Sequence, residues 1–544
     1  MPPCIVCKTP FEVRDLDRAF YTKIEVPEPK FCPDCRFQQR LCFRNERTLY
    51  KRKSSLSGTD MISIYSPENR YKVFTPQEWW GDQWDGMNYG REFDFNRPFF
   101  DQFQELLLDV PRIGLFNVNP TNSDYCQQAY NCKNCYLCIA VKNCEDSMYI
   151  SHSNRIKSSF DCSHTQNMEL CYDCVDSDNL YDCVHCQSCQ NSSGLRFCYD
   201  CIGCHDCFGS WGLRNKRNYI FNKPYSPEEY KQKIASLELF KYSNFVKYKN
   251  YFQDVSKKAI HRADRNLNTF DSLGNYLINT QNCHRCFDGF ELQDCAYSTW
   301  IFESRDCHDV YGMGESELIY QGLGVEEVNH CAFNTFVSNS SDVDCSDLCF
   351  YSMNLFGCAS LKNKKHCIFN KQYSKEDYFN LKPLIINHMG KTGEWGRFFP
   401  VSLSPFAYNE TVANKFFPLE KDQALQKGYR WRDLDRKEFG AAETTIPDSI
   451  KDVKDDIVNA TLSCETTKRK YKVTLQELKF YRDHGIPIPR HCPDQRYVEQ
   501  MSLRNPRTLY DRNCAKCSAP LKTTYAPERP EIVYCEKCYL KEVY

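Results

Sequence analysis

The middle of the chain places small, core-forming residues with a period of three. From Cys126 to Cys207 there are fifteen cysteines, and every one of their residue numbers is divisible by three. An amphipathic helix repeats about every 3.6 residues and a strand about every 2, so neither element explains this spacing. A narrow β-solenoid explains it, because corners every few residues let small side chains point inward and stack on their equivalents one coil later.

A second cysteine-rich stretch follows the same rule, and only Cys345 breaks its phase. The cysteines in phase are Cys283, Cys286, Cys295, Cys307, Cys331, Cys349, Cys358 and Cys367. Separations of 12 recur, as in the series Cys162, Cys174, Cys186 and Cys198. The alternative is a string of zinc knuckles, suggested by "CVHC", "CHDC" and "CHRC". Against it, each histidine adjoins a cysteine and would face the opposite side of a strand.

Both blocks end with related sequences. "FGSWGLRNKRNYIFNKPYSPEEY" begins at Phe208 and "FGCASLKNKKHCIFNKQYSKEDY" begins at Phe356, an offset of 148. In each, a serine suited to an N-cap precedes acidic residues that suit a first helical turn. We therefore expect helices near residues 226–250 and 374–388 to close the ends of the blocks, as repeat arrays require.

The two ends of the chain repeat each other at an offset of 460. "RNERTLYKR" at residues 44–52 returns as "RNPRTLYDR" at residues 504–512, and the match extends to both sides of this stretch without a gap. The chain therefore carries a duplicated terminal module, separated by the two cysteine-rich blocks.

Each copy of the module has slots for two zinc sites and fills a different one. The filled slots are Cys4, Cys7, Cys32 and Cys35 in the first copy and Cys514, Cys517, Cys535 and Cys538 in the second. The other slots read Ser54, Ser57, Thr75 and Glu78 in the first copy and Cys464, Thr467, Cys492 and Gln495 in the second. Two CxxC pairs supply the four thiolates of a closed tetrahedral shell. We predict about two structural Zn²⁺ ions.

A basic stretch follows "CPDC" in the first copy. It has no Gly or Pro, and its arginines at 36, 40, 44 and 47 have the spacing of one helical face. We interpret Arg36, Arg40, Arg44 and Arg47 as candidate phosphate contacts, together with Arg496, Arg504 and Arg507 of the second copy. The alternative is a solvated surface helix.

Composition places the chain among globular proteins with reduced thiols. It has 544 residues, 41% of them hydrophobic, and 35 cysteines. Its first residues lack the apolar stretch of a secretory signal, and no apolar run is long enough to cross a bilayer. We expect a cytoplasmic protein with no membrane partner, in which cysteines bind metal or form the core.

Charge is distributed by region. Residues 286–350 hold thirteen acidic residues and one arginine, whereas residues 214–262 hold twelve basic residues and four acidic ones. Such regions could dock on each other or steer a polyanion to the basic flanks. The sequence does not decide between the two.

These observations predict a mainly β protein with α additions, a cysteine-rich β-solenoid in two blocks flanked by duplicated zinc-ribbon or treble-clef-like modules. The segments are a zinc module (1–78), an aromatic linker (79–114), a first block (115–225), a helical insertion (226–272), a second block (273–373), a helical and aromatic connector (374–460) and a second zinc module (461–544).

The segments "CPDCR", "RNERTLY", "ISIYSPENRYKVF", "EWWGDQWD", "GREFDFNRPFFDQF", "NCYLC", "LRNKRNYIFNKPYS", "SPFAYNET" and "APERPEIVYCEKCY" span nearly the whole chain. In them the chain resembles large zinc-ribbon, cysteine-rich repeat proteins of candidate-phyla-radiation (Patescibacteria) bacteria. The resemblance implies zinc modules and brings no activity with it.

Catalysis has little support in the sequence, since no P-loop, HExxH, GxSxG or GxGxxG motif occurs. The tryptophan cluster "EWWGDQWD" suits a core anchor or, alternatively, a pocket that stacks a base. We expect a non-enzymatic zinc-binding scaffold whose candidate partners are RNA, DNA or the ribosome. The alternatives are a self-associating structural solenoid, and a thiol-redox or metal-storage protein.

Overall fold

The computed structural model describes residues 1–433 and 435–544, and their packing forms two units. Unit 1 consists of Met1–Leu115 and Asp264–Arg432, and unit 2 consists of Phe116–Ala263 and Asp433–Tyr544. Each unit therefore combines one terminal module with the cysteine-rich block that lies farther from it in the sequence. Among the described helices, none combines the length and apolar character needed to cross a bilayer.

The first module and its linker contain four α-helices, one 3₁₀ helix and four strands. These are α1 Asp15–Lys23, α2 Pro33–Leu41, β1 Tyr50–Lys53, β2 Asp60–Ser63, β3 Val73–Phe74, α3 Pro76–Trp80, the 3₁₀ helix Gly86–Tyr89, α4 Phe99–Asp109 and β4 Arg112–Ile113.

The first block and the segment after it follow. Its strands are β5 Asn117–Val118, β6 Gln127–Tyr130, β7 Ile139–Glu145, β8 Ser151–Lys157, β9 Gln166–Glu169, β10 Asp178–Tyr181, β11 Gln190–Ser193, β12 His205–Phe208, β13 Arg217–Ile220 and β14 Lys223–Pro224. Next come α5 Pro227–Ser236, α6 Tyr242–Lys258 and β15 Ile260–Arg262.

The second block has longer strands. They are β16 Leu267–Phe270, β17 Leu273–Gln281, β18 His284–Gln293, β19 Thr299–His308, β20 Tyr311–Gly314, β21 Glu317–Thr335, β22 Ser338–Asp344, β23 Met353–Phe356, β24 Lys365–Ile368 and β25 Lys371–Gln372. The connector adds α7 Lys375–Thr392, α8 Val412–Phe416, α9 Lys421–Gln426 and the 3₁₀ helices Val401–Leu403, Tyr408–Glu410, Arg436–Glu438, Ile450–Asp452 and Asp455–Val458.

The second module repeats the plan of the first. Its elements are β26 Leu462–Ser463, β27 Lys470–Tyr471, α10 Leu475–Asp483, α11 Pro493–Ser502, β28 Tyr510–Asn513, β29 Pro520–Thr523, β30 Ile532–Tyr534 and α12 Glu536–Val543.

Within the described residues each block forms a ten-stranded, largely parallel sheet whose strands follow chain order. The usual register is twelve residues, as in Asp178 opposite Gln190 and Phe287 opposite Thr299. Only the last pair of each sheet is antiparallel, β13 with β14 and β24 with β25. The result is a mixed α/β protein, and the twelve-residue register accounts for the cysteine separations of 12.

Backbone conformation explains the period of three. Through both blocks nearly every third residue has a positive φ, for example Asp173 (54°), Asp176 (50°), Asn179 (53°) and Asp182 (49°). Asn and Asp tolerate this left-handed conformation better than most residues. One residue of each triplet therefore turns the chain, and a second one points inward.

The inward residues form the two block cores. All fifteen cysteines of the first block are at most 3% exposed, and the eight in-phase cysteines of the second are at most 2% exposed. The prediction that these cysteines are core residues is confirmed. Cys345 is also buried, but it occupies a turning position with φ of 51° and does not belong to the core cluster of the second block.

A hydrogen-bond requirement explains why the inward residues are so often Cys or Ser. The Cys189 thiol donates to the carbonyl of Gln187 (3.5 Å), and its sulfur accepts from the amide of Cys201. Ser177, twelve residues earlier, accepts from the amide of Cys189 (3.1 Å) and donates to the carbonyl of Val175 (2.9 Å). The amides of inward residues thus face the core, where a small sulfur or oxygen accepts from them.

This arrangement predicts that Cys189→Ser is tolerated better than Cys189→Ala. Serine keeps both hydrogen bonds, whereas alanine leaves the buried amide of Cys201 without its acceptor, at a cost of about 1–3 kcal/mol. Urea unfolding of the two variants measures the difference. Equal destabilisation by Ala and Ser would show that the thiol acts only by filling space.

The helices predicted at the block ends exist, with different limits and contacts. The first lies in two pieces, α5 and α6, and the second is α7. Tyr230 of α5 and Tyr378 of α7 are the buried residues near the amino end of each helix. At the end of the second block the side chain that touches the core is instead Met87, from the first module's linker.

Candidate metal centres and module contacts

The first metal centre brings together Cys4, Cys7, Cys32 and Cys35, whose sulfur atoms all lie within 4.8 Å of one another. The first pair sits in a tight turn in which the amide of Lys8 (φ 65°) donates to the carbonyl of Cys4. The second pair begins α2, with Cys32 as the N-cap residue. A helix N-terminus favours the thiolate form of its cysteines.

The second centre repeats this geometry with Cys514, Cys517, Cys535 and Cys538, also within 4.8 Å of one another. The amide of Ser518 (φ 60°) donates to the carbonyl of Cys514, as that of Lys8 does to Cys4, and Cys535 is the N-cap of α12.

Both thiolate sets fit Zn²⁺. Tetrahedral thiolates about 2.3 Å from a zinc ion lie about 3.8 Å apart. The sulfur atoms of Cys7 and Cys32 are 3.6 Å apart, and those of Cys517 and Cys535 are 3.8 Å apart. A hydrogen bond from the Cys35 thiol lowers the pKa of Cys32 to about 5, although burial opposes the shift. Zinc bound here would hold a loop to a helix and leave no ligand position open.

The first copy also has the second set of positions, Ser54, Ser57, Thr75 and Glu78, where no cysteine occurs. These residues still join a loop to a helix. Ser54 donates to the Glu78 carboxylate (2.5 Å), and Glu78 also accepts from the amide of Thr75 (2.9 Å). Burial would raise the pKa of Glu78, but hydrogen bonds from Ser54, Ser57 and Thr75 lower it below its usual value. A hydrogen-bond cluster therefore stands where a four-cysteine centre could have joined the same loop and helix.

The arginines of α2 face inward in unit 1. The Nε of Arg36 donates to the Asp309 carboxylate (2.9 Å), and an Nη of Arg40 lies 3.2 Å from the same group. Arg36 is 2% exposed, and Arg40 and Asp309 are both 0% exposed. Burial lowers the pKa of Arg40 to about 10 even though Asp309 opposes the shift. One buried carboxylate thus serves two guanidinium groups.

Unit 2 contains the equivalent contact. Arg496 donates to Asp161 (3.1 Å). These residues correspond to Arg36 and Asp309 at the offsets of 460 and 148, so equivalent positions of module and block make this contact in both units. Gln500 replaces Arg40 and hydrogen-bonds to Asp161 and Asp173.

A tyrosine contact is also duplicated. The Tyr297 hydroxyl donates to Asp17 (2.8 Å) in unit 1, and the Tyr149 hydroxyl donates to Glu477 (3.0 Å) in unit 2. The equivalent arginine lies near each ring, with its guanidinium carbon 5.5 Å from the Tyr297 centroid for Arg36 and 4.7 Å from the Tyr149 centroid for Arg496. Module and block therefore contact each other through equivalent positions in both units.

The repeated "RNERTLYKR" stretch begins with a second anchor. Arg44 is buried, pairs with Glu46 (2.7 Å) and lies 5.5 Å from the Trp300 ring and 5.0 Å from the Tyr311 ring. A Cβ added at Gly312 would lie 3.0 Å from its guanidinium.

In unit 2 the equivalent Arg504 pairs with Asp176 (2.8 Å). Both copies of the repeated stretch thus place their first arginine against a block.

The predicted basic helical face therefore needs correction. Helix α2 ends at Leu41, so Arg44 and Arg47 lie beyond it. Arg36, Arg40, Arg44 and Arg496 are buried against carboxylates or aromatic rings of their own unit and do not present a surface to phosphate. Arg47, Arg504 and Arg507 are half-buried. The carboxylates of Asp309 and Asp161 hold Arg36, Arg40 and Arg496 inside the units. The sequence did not reveal these contacts, because each carboxylate lies hundreds of residues from its arginine.

The tryptophan cluster packs on the end of the second block. The Lys362 ammonium donates to the carbonyl of Trp79 (2.6 Å) and lies within 6 Å of the Trp79, Trp80 and Trp84 ring centroids. This favours the core-anchor interpretation over a base-stacking pocket, since the cluster already holds a cation of its own chain.

The acidic region forms a column that the sequence did not reveal. Glu291, Glu303, Glu315 and Glu327 recur every twelve residues at turning positions and line an open groove of about 680 Å³. In the first block this column is rich in Asn, and the Asn119 amide donates to Asn131 (3.1 Å). Stacked carboxylates repel one another and disfavour phosphate on this face.

Comparison with known proteins found no match, neither to a protein-family model nor to a curated protein. Two four-cysteine clusters in a cysteine-rich chain are the part of the zinc-ribbon resemblance that the structure shows. Membership of that family stays a prediction.

Proposed function

We propose that this protein is a non-enzymatic, zinc-binding scaffold in which each terminal zinc module braces one β-solenoid block. The twelve-residue parallel register and the turn at nearly every third residue support a coil with four short sides. None of the 35 cysteines is disulfide-bonded within the described residues, so all of them are available to bind metal or to pack in a core.

The observation that carries this proposal is the duplicated contact of module and block. Arg36 with Asp309 and Arg496 with Asp161 join segments more than 250 residues apart at equivalent positions. Closed four-thiolate centres suit such a bracing role, because they leave no position for substrate or water. Core thiols engaged with backbone groups favour the scaffold over metal storage.

Zinc chelation followed by hydrogen exchange tests the proposal. Removing zinc should first raise exchange in the two modules, around residues 4–35 and 514–538, because metal binding and local folding are coupled. Unchanged exchange in both modules after complete zinc removal would contradict a bracing role.

Binding of RNA, DNA or the ribosome stays a prediction, since the arginines assigned to it are largely occupied within the chain. Titration with mixed-sequence RNA and DNA between about 50 and 200 mM salt tests it, because phosphate-dominated affinity falls steeply over that range. The alternative of self-association is tested by the oligomeric state of the same samples.

A further inference from the structure

The two blocks end in equivalent residues that have different surroundings. At the offset of 148, Lys216 and Lys223 of the first block correspond to Lys364 and Lys371 of the second. Phe221 and Asn222 likewise correspond to Phe369 and Asn370. The duplicated sequence thus allows a direct comparison of the two ends.

In unit 1 a short segment of the first module's linker covers the block end. We call residues 85–92 the covering segment. Its Asp85 pairs with Lys364 (2.7 Å), and its Glu92 pairs with Lys371 (2.5 Å). Two carboxylates seven residues apart therefore match the two lysines.

The covering segment also fits the block end through its backbone. The Asn370 amide donates to the carbonyl of Gly86 (3.0 Å), and the amide of Arg91 donates to the carbonyl of Phe369 (3.0 Å). A Cβ added at Gly86 would lie 2.6 Å from the carbonyl oxygen of Ser360, and one at Gly90 would lie 2.6 Å from that of Asn370. Glycine is needed at both points of close approach.

Met87 completes the fit as the only apolar side chain that the covering segment places on the block core. Its sulfur lies 3.9 Å from that of Cys367, and it packs against the core of the second block. Cys367 and Leu361 are fully buried beneath it.

In unit 2 the equivalent residues are less covered. Tyr251 of α6 lies against Phe221, with 4.8 Å between the ring centroids, whereas Phe93 and Phe99 cover the equivalent Phe369. Phe221 is 36% exposed, whereas Phe369 is 0% exposed. Leu213 and Tyr219, the equivalents of Leu361 and Cys367, are only partly buried.

The two lysines at the end of the first block are also exposed to solvent. Lys216 and Lys223 are exposed, and within the described residues neither makes an ion pair. Among the described residues, the Asn222 side-chain amide donates only to the carbonyl of Trp211, whereas the Asn370 side-chain amide donates both to Ala359 of its own block and to Gly86.

The terminal modules support the same comparison. The Lys362 ammonium lies 4.9 Å from the Trp84 ring, and the equivalent Arg214 lies 5.3 Å from the ring of Tyr544. The two modules thus place equivalent aromatic residues, Trp84 and Tyr544, beside equivalent cations of the two block ends.

We propose that the end of the first block binds a short acidic peptide segment of a partner protein, in the way that the end of the second block binds residues 85–92 with their 3₁₀ turn at Gly86–Tyr89. The partner segment carries two carboxylates seven residues apart, glycine at the points of close approach and one unbranched apolar side chain between them. This inference specifies a partner for the scaffold proposed above and rests on that function.

The chemistry of the surface favours a peptide over a nucleic acid. Lys216 and Lys223 accompany an apolar floor made by the half-buried Leu213 and Tyr219, and the Asn222 side-chain amide lies beside it. A phosphate backbone would use the two cations and leave the floor uncovered, whereas a peptide engages both.

A labelled synthetic peptide of residues 84–97, "WDGMNYGREFDFNR", tests the proposal by fluorescence anisotropy with the full chain. We expect saturable binding, and at least about tenfold weaker binding by the double variant Lys216→Glu and Lys223→Glu, because both carboxylates then meet like charge. The matched control is Lys231→Glu with Lys233→Glu, two exposed lysines of α5 carrying the same charge change. The control should keep wild-type affinity, and a scrambled peptide should not bind.

Absence of peptide binding, or equal loss in both double variants, would overturn the proposal. So would RNA or DNA binding that depends on Lys216 and Lys223 while the peptide does not bind. Zinc content and unfolding midpoint are measured on the same samples. If they are unchanged while the peptide fails to bind, the docking inference fails and the scaffold proposal stands.

Discussion

Replacing Cys32 by Ser should remove one zinc ion and unfold the first module locally, while Cys492→Ser should remove none. The two residues are equivalent, and each is the N-cap of a helix. Only Cys32 belongs to a four-cysteine centre. We expect a loss of several kcal/mol for Cys32→Ser, because structural zinc sites bind with about 10–16 kcal/mol in peptides.

Calorimetric unfolding and zinc content of both variants measure this difference. Cys535→Ser serves as the second positive case, since it disrupts the other centre. Equal effects of Cys32→Ser and Cys492→Ser would mean that the first site acts through packing and not through metal.

Asp309→Asn should destabilise unit 1 by about 3–5 kcal/mol, since breaking a buried ion pair leaves an uncompensated charge. Arg36 and Arg40 both depend on this carboxylate and have almost no contact with solvent. The matched control is Asp306→Asn, three residues earlier. The Asp306 carboxylate lies 2.9 Å from the Lys23 ammonium, and the Lys23 side chain is half-exposed. A surface pair of this kind contributes about 0–1 kcal/mol.

Urea unfolding of the two aspartate variants gives the comparison. A loss below about 1 kcal/mol for Asp309→Asn would show that the duplicated arginine contact does not hold the module to the block. The triple variant Arg36→Met, Arg40→Met and Asp309→Leu is expected to recover stability, because an apolar cluster avoids the cost of burying charge.

Local features of this protein could be predicted from its sequence. The two four-cysteine clusters follow from CxxC spacing, because the motif carries its own loop and helix geometry. The inward phase of Cys162, Cys174, Cys186 and Cys198 follows from the period of three, because each turn is made within three residues. Both of these features depend only on near neighbours in the chain.

Features that depend on distant contacts could not be predicted. Arginines of α2 look like a phosphate-binding face until Asp309 is placed opposite them, 273 residues away. The cover of the second block comes from the linker of the first module, so the helices after the block do not act alone at its end. The spacing of Glu291 and Glu303 gained meaning only from the twelve-residue register.

The most direct test of the account is the zinc content of anaerobically purified protein. If the two terminal centres bind metal and the block cysteines form hydrogen-bonded cores, elemental analysis will give two zinc ions per chain. Six or more zinc ions per chain would place metal among the block cysteines and contradict the account.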